Sequence, residues 1–172
     1  MREESAGAPS GATSGGSHVI GLISDTHGLV RAAVFEALAK VELILHAGDV
    51  GGVAVLDALG AIAPVRAVFG NTDPAGHPEL TDEIVHEVDG VSIHVSHGHE
   101  FGRPTPEALL DTYPQRVLVY GHTHRQLVVH ADGRLVVNPG AAGPRRFDLR
   151  PSVARLTIRD GAPEVELVEL PA

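Results

Sequence analysis

From residue 19 onward, short apolar runs alternate with amphipathic stretches. Val19–Ser24 (VIGLIS) is almost continuously apolar, the pattern of a strand buried on both faces. Arg31–Lys40 places Ala33, Phe35, Ala37 and Leu38 at helical spacing and ends on a basic residue, which predicts a helix. Leu43–Ala47 reads as a second strand, Val53–Leu59 as a short helix stopped by Gly60, and Val65–Phe69 as a third strand. This β-α-β-α-β alternation predicts parallel strands joined by right-handed crossovers. Beyond it, Asp89-Gly90, Asp132-Gly133 and Asp160-Gly161 each separate two alternating apolar runs. Asp-Gly supplies the positive φ angles of a two-residue hairpin, so Glu83–Val88 should pair with Val91–Ser96, Leu127–Ala131 with Leu135–Asn138, and Val153–Arg159 with Glu164–Leu170. Pro106–Thr112 predicts a helix and Val117–Tyr120 one more buried strand. The expected architecture is mixed α/β, with parallel strands first and antiparallel hairpins after.

Residues 1–17 (MREESAGAPSGATSGGS) hold almost nothing large to bury, and the composition predicts a disordered Gly/Ser/Ala-rich tail before one domain over 18–172. A length of 172 residues suits a single core, with no need of disulfides or a structural metal. There is no cysteine, which excludes thiolate metal sites and cysteine nucleophiles. Without Trp, and with four Phe and two Tyr, the core must be aliphatic. A net charge of −9 argues against generic nucleic-acid binding, and no apolar run is long enough to span a bilayer. The N-terminus has no apolar signal segment, so a cytoplasmic protein is expected.

The polar residues fall in a pattern of their own. VIGLIS runs into Asp25-Thr26-His27-Gly28, and LILHA into Gly48-Asp49. VRAVF runs into Gly70-Asn71-Thr72-Asp73, VSIHVS into His97-Gly98-His99, and VLVY into Gly121-His122-Thr123-His124. Each of these strands ends in a metal-ligand side chain with glycine close by. In open α/β sheets ligands bind beyond the carboxyl ends of the strands, so these termini can converge on one site. Asp25, Asp49, Asn71, His27, His97, His122 and His124 offer oxygen and imidazole donors without sulfur. That set suits divalent Mn, Fe, Zn or Co. It is too large for one tetrahedral centre, and paired ions suit in-line displacement at phosphorus. Two such ions would also reverse the local charge that otherwise repels phosphate.

The motifs D-x-H (Asp25, His27), G-D (Asp49), G-N-x-D (Asn71, Asp73), H-G-H (His97) and G-H-x-H (His122, His124), followed by Asn138-Pro139-Gly140, resemble the calcineurin-like metallophosphoesterase superfamily. Their order and spacing are similar to its small prokaryotic phosphodiesterase branch, the YfcE-like proteins, over about Val19 to Gly143. The resemblance implies a two-sheet β-sandwich flanked by helices in four layers, with a metal site at the strand ends. It implies two divalent ions, usually manganese, with Fe, Zn, Co or Ni as substitutes. By position, Asp25, His27 and His124 would hold the first ion and Asp49 would bridge, while Asn71, His97 and His122 would hold the second. The implied reaction is hydrolysis of a small or nucleotide phosphodiester by a metal-bridging hydroxide, with Asp49, Asn71 and His99 as catalytic candidates. The wider superfamily commonly has G-N-H-[DE]; here Thr72 stands in the histidine slot, which leaves the leaving group's proton without an obvious source.

Blander readings exist for each residue alone. Asp25 and Asp49 could cap the following helices. His99 could be a loop histidine rather than a phosphate contact, and Arg145-Arg146 a solvated pair rather than a phosphate clamp. His46, just before Gly48-Asp49, reads as a satisfied core histidine, and His18, His77, His86, His94 and His130 match no motif. A non-catalytic scaffold of the same fold, as in the retromer subunit that resembles these enzymes, would show eroded ligands. A nuclease on longer nucleic acid would show a basic groove. No membrane partner is expected, and an exposed hairpin edge would favour pairing of copies.

Overall fold

Three Asp-Gly turns set the frame of the second half. Asp89, Asp132 and Asp160 adopt φ of 51°, 52° and 54°, and the glycines after them 78°, 78° and 76°. Two consecutive positive φ values make the hairpin turn whose twist matches its flanking strands. The computed structural model describes residues 16–171. The tail expected from composition over 1–17 falls outside them except for its last two residues, and the first strand opens at Ser17.

Two sheets result. The first has six strands: β1 (Ser17–Ile23), β2 (Leu43–His46), β3 (Val65–Val68), β4 (Leu80–Thr81), β10 (Ser152–Arg159) and β11 (Ala162–Glu169), in the order β11-β10-β1-β2-β3-β4. The second has five, β5 (Ile84–Val88), β6 (Val91–Val95), β7 (Val117–Val119), β8 (Leu127–Ala131) and β9 (Arg134–Asn138), in the order β5-β6-β7-β9-β8. β1, β2 and β3 run parallel, as the alternation predicts, and the unpredicted β4 adds a further parallel pair to β3. The second half is not purely antiparallel, because β6–β7 and β7–β9 are also parallel pairs. The crossover from β6 carries a short 3-10 turn (His99–Phe101) and α3 (Pro106–Thr112), and returns the chain in the same direction. The last hairpin leaves the second sheet and pairs β10 antiparallel to β1.

The strands read as continuous apolar runs because they are covered on both faces. Ile20, Leu22, Leu45, Val117, Val119, Leu135 and Val137 fill the space between the sheets. Ile44, one residue from Leu45, faces the other way and packs with Val34, Leu38, Val55 and Leu59 of or beside α1 (Ala32–Ala37) and α2 (Val53–Gly60). Leu118 and Val136 point outward against Leu109 of α3. Helix, sheet, sheet, helix is the four-layer sandwich expected. α1 is shorter than the predicted Arg31–Lys40: its C-cap is Leu38, and Lys40 takes a φ of 68° that a helix cannot continue. Gly60 is the last residue of α2, not the residue after it. Neither helix is capped by an aspartate, since their N-caps are Arg31 and Gly52 without a side-chain bond.

Candidate metal centre

β1, β2 and β3 point their carboxyl ends to the same edge of the sandwich as β6 and β7, and the polar loops after them meet there. The Asp25 carboxylate is buried behind this edge. Its Oδ2 accepts hydrogen bonds from Ser24 Oγ at 2.7 Å and from the His122 N–H at 3.1 Å. Its Oδ1 has no hydrogen-bond partner among the described residues, yet the Nε2 atoms of His124, His27 and His97 lie 3.3, 3.8 and 4.0 Å away. An orphaned, buried carboxylate oxygen ringed by ring nitrogens is costly unless something with positive charge shares them.

Asp49 is divided in the same way. Its Oδ1 accepts from both the backbone N–H (2.9 Å) and the hydroxyl (2.7 Å) of Thr72. Its Oδ2 faces His97 Nε2 at 3.3 Å and His27 Nε2 at 3.6 Å. Asn71 Oδ1 lies 3.1 Å from both His97 Nε2 and His122 Nδ1, and those two nitrogens are 3.3 Å apart. His27 and His124 bring their Nε2 atoms to 3.4 Å. Asp25, His27 and His124 thus form one group able to hold an ion, and Asp25, Asp49 and His97 a second beside it. All seven candidate ligands are brought together.

The electrostatics suit cation binding. Burial pushes the Asp25 carboxyl upward, but the imidazoles of His124 and His97 and the Ser24 hydroxyl outweigh it and hold the group below the usual range. The same competition leaves Asp49 strongly lowered, with His97 and the two Thr72 donors prevailing over burial. His97 is raised despite burial because both aspartates face it, whereas burial and the neighbouring His97 lower His122. His97 Nδ1 donates to the Ala47 carbonyl at 2.8 Å, which leaves the Nε2 lone pair of the neutral ring directed at the carboxylates.

Motif reading named Asp73 and Asn138 and set His46 in the core, but did not show what their side chains hold together. His46 is fully buried: its Nε2–H donates to Thr26 Oγ (2.9 Å), Thr26 donates to the Val50 carbonyl (2.7 Å), and His46 Nδ1 accepts from the Gly48 N–H (3.1 Å). It is the satisfied core histidine expected, and it also ties the Asp25–His27 loop to the Gly48–Asp49 loop. Burial pushes its pKa down to about 4. Asp73 accepts from the N–H groups of Val50, Gly51 and Gly70 at 2.9–3.0 Å, and so pins the β2 and β3 loops together. Asn138 donates to the Gly121 carbonyl and to Thr123 Oγ, which holds the His122–His124 turn. A Cβ on Gly121 would fall 2.0 Å from Ser24 Oγ, and one on Gly70 2.1 Å from Asp49 Oδ1.

His99 lies on the rim, its ring centroid 5.3 Å from that of His97 and 6.5 Å from that of His122. His18, His77, His86 and His94 have partners away from the centre, among them Glu42 for His18 and Glu83 for His94.

Two sheets thus gather carboxylates and imidazoles, a donor set able to hold metal ions, at one edge. The sequence matches the Calcineurin-like phosphoesterase superfamily domain over residues 19–161, and the chain belongs to that superfamily. It is 35% identical over 160 residues to a probable metallophosphoesterase of Methanothermobacter thermautotrophicus, covering 87% of this chain and 91% of that one. It is also 27% identical over 138 residues to a phosphodiesterase of Methanocaldococcus jannaschii, covering 70% of this chain and 82% of the relative. Among solved structures, Vacuolar Protein Sorting 29 of Cryptosporidium parvum shares the fold with a TM-score of 0.73 at 24% identity, over 91% of this chain and 99% of that chain. Among the described residues no helix is long and apolar enough to cross a membrane.

Proposed function

We propose that this chain is a cytoplasmic, dinuclear metal-dependent phosphodiesterase acting on a small or nucleotide diester. The observation that carries the reading is the pair of free carboxylate oxygens, Asp25 Oδ1 and Asp49 Oδ2, facing ring nitrogens at 3.3–4.0 Å. Asp25, His27 and His124 would hold one ion, Asn71, His97 and His122 the other, and Asp49 both. Manganese suits this oxygen and imidazole set, with Fe, Zn, Co or Ni as substitutes. When bound, the ions supply Lewis-acid polarisation of the phosphoryl oxygens and a nucleophile at neutral pH.

The chain's own residues fix the rest. Thr72 holds Asp49 Oδ1 with two hydrogen bonds, so its hydroxyl is engaged and is far too weak an acid to protonate an alkoxide. His99, on the rim beside His97, would give that proton. A scaffold role would tolerate loss of ligands, and all seven retain a donor atom.

Metal analysis and turnover test the reading together. Protein purified with manganese should carry about two ions per chain and hydrolyse bis(4-nitrophenyl) phosphate. One ion per chain, or none, would overturn the dinuclear assignment; two ions with no turnover of any diester would overturn the activity.

A further inference from the structure

The arginines divide into two populations. Among the described residues, Arg31, Arg116, Arg134 and Arg155 donate to backbone carbonyls, Arg66 lies against His86, Arg159 pairs with Glu164, and Arg150, beside Arg146, pairs with Glu169. Arg103, Arg125, Arg145 and Arg146 are exposed, and their side chains have no partner among the described residues. All four stand at the mouth of the candidate metal centre. Arg103 and Arg125 line a cavity of about 800 Å³ that His122 opens into, together with Tyr120, Pro104, Leu127 and Leu149. Arg145 and Arg146 line a shallow recess next to it, shared with His124 and, like the cavity, with Leu149. Neither recess has an aspartate or glutamate in its lining, on a chain of net charge −9.

We infer that the cavity beside His122 is a nucleotide subsite, with its apolar wall taking a base and Arg103 and Arg125 a phosphate other than the scissile one. This rests on the phosphodiesterase reading and names its substrate class. The volume lies in the range of small-molecule sites, roughly 300–1,000 Å³. Half-buried Pro106, Leu127 and Leu149 in its wall offer apolar surface to a flat heterocycle, and unpaired guanidinium groups bind phosphate by a charge-assisted fork. His122 belongs both to the cavity and to the candidate metal centre, so a diester bound at the centre would reach the cavity with one arm, while the Arg145–Arg146 recess adjoins the cavity through Leu149. That recess is too shallow for a base but offers positive charge to a second anionic group.

The test compares a 5′-phosphorylated deoxyadenosine dinucleotide with the same dinucleotide lacking that phosphate, and adds ADP binding by calorimetry to manganese-loaded protein. Wild type should prefer the phosphorylated dinucleotide in kcat/KM by about tenfold or more, the scale of one charged hydrogen bond. The double variant Arg103→Ala/Arg125→Ala should lose that preference and bind ADP about tenfold more weakly. Lysine at both positions should restore part of each, since charge remains while the fork is lost. Turnover of diesters with neither preference nor ADP binding dependent on these arginines overturns the subsite and leaves the phosphodiesterase reading standing. ADP binding that depends on them, in a protein that hydrolyses no diester, upholds the subsite and overturns the phosphodiesterase reading instead.

Discussion

Left-handed backbone appears in two regions of this molecule and serves them differently. At the hairpins, Asp89, Asp132 and Asp160 take φ near 50° and a glycine follows each. There the conformation is the low-energy answer to joining two twisted strands with two residues, and the residue type announces it. At the strand ends, Asp25, His27, Asp49, His122 and His124 take φ of 55°, 46°, 56°, 73° and 64°. No hairpin asks for it there. Left-handed non-glycine residues cost roughly 1–3 kcal/mol each and persist where the surroundings over-determine them. Here the surroundings are Asp73, His46 and Asn138, which hold the loops by buried hydrogen bonds. The same dihedral is therefore local chemistry in one region and stored strain in the other.

The largest effect should come from the shared carboxylate. Asp49→Asn keeps the size of the side chain but removes the charge proposed to serve both ions; metal content should fall below two per chain and turnover should vanish, by elemental analysis and steady-state assay. Wild-type content with wild-type rate would remove the functional half of the comparison. Next is leaving-group dependence. With the Thr72 hydroxyl committed to Asp49, alkyl diesters should lag aryl diesters by about 10²–10⁴-fold, and His99→Ala should widen that gap if the rim imidazole supplies the proton. Equal slowing of both substrates by His99→Ala would exclude the acid role.

The supporting network should show itself in pH. His46 has a folded pKa of about 4 against 6.5 for an ordinary histidine, so protons favour the unfolded chain. Its contribution is intact above pH 6.5 and is lost as pH falls towards 4, about 3 kcal/mol in all at 1.36 kcal/mol per unit. Urea melts from pH 7 to 4 should be steeper in pH for wild type than for His46→Gln; parallel curves would show the ring is not held neutral. Thr72→Val should weaken metal binding about tenfold by leaving Asp49 Oδ1 only the backbone N–H of residue 72, and Thr72→Ser should recover most of it, as read by metal titration. The smallest effect sharpens the contrast directly. Asp132→Ala should lower stability by about 1 kcal/mol without touching metal affinity. His122→Gly should leave the metal-free fold as stable or up to about 1 kcal/mol more stable while losing metal. If both variants lose stability alike, the strand-end strain is not stored.

Much of this was legible in the chain because the signals are local. The hairpins could be read from Asp-Gly, the two-sided strands from runs such as VIGLIS, and the ligand set from the residues just past each strand. What escaped depends on contacts far apart in sequence. Only the pairing of β10 with β1 assigns the last hairpin to the first sheet, and no periodicity records it. β4 is two residues long, below any pattern. His46 carries no motif, and Asp73, though part of G-N-x-D, makes bonds that cross between loops. The division of the arginines likewise exists only once the mouth is assembled.

The close fit of Gly70 and Gly121 has a consequence for anyone wishing to redesign the centre. At each, the smallest possible addition, one methyl, would occupy the space of an oxygen, at Asp49 Oδ1 or at Ser24 Oγ. Libraries aimed at a different ion or reaction therefore gain nothing by varying the loop backbones. The inner wall is frozen by what it lacks, and adaptability is confined to the solvent side, where Asn71 and Thr72 are exposed and His99 is half-buried.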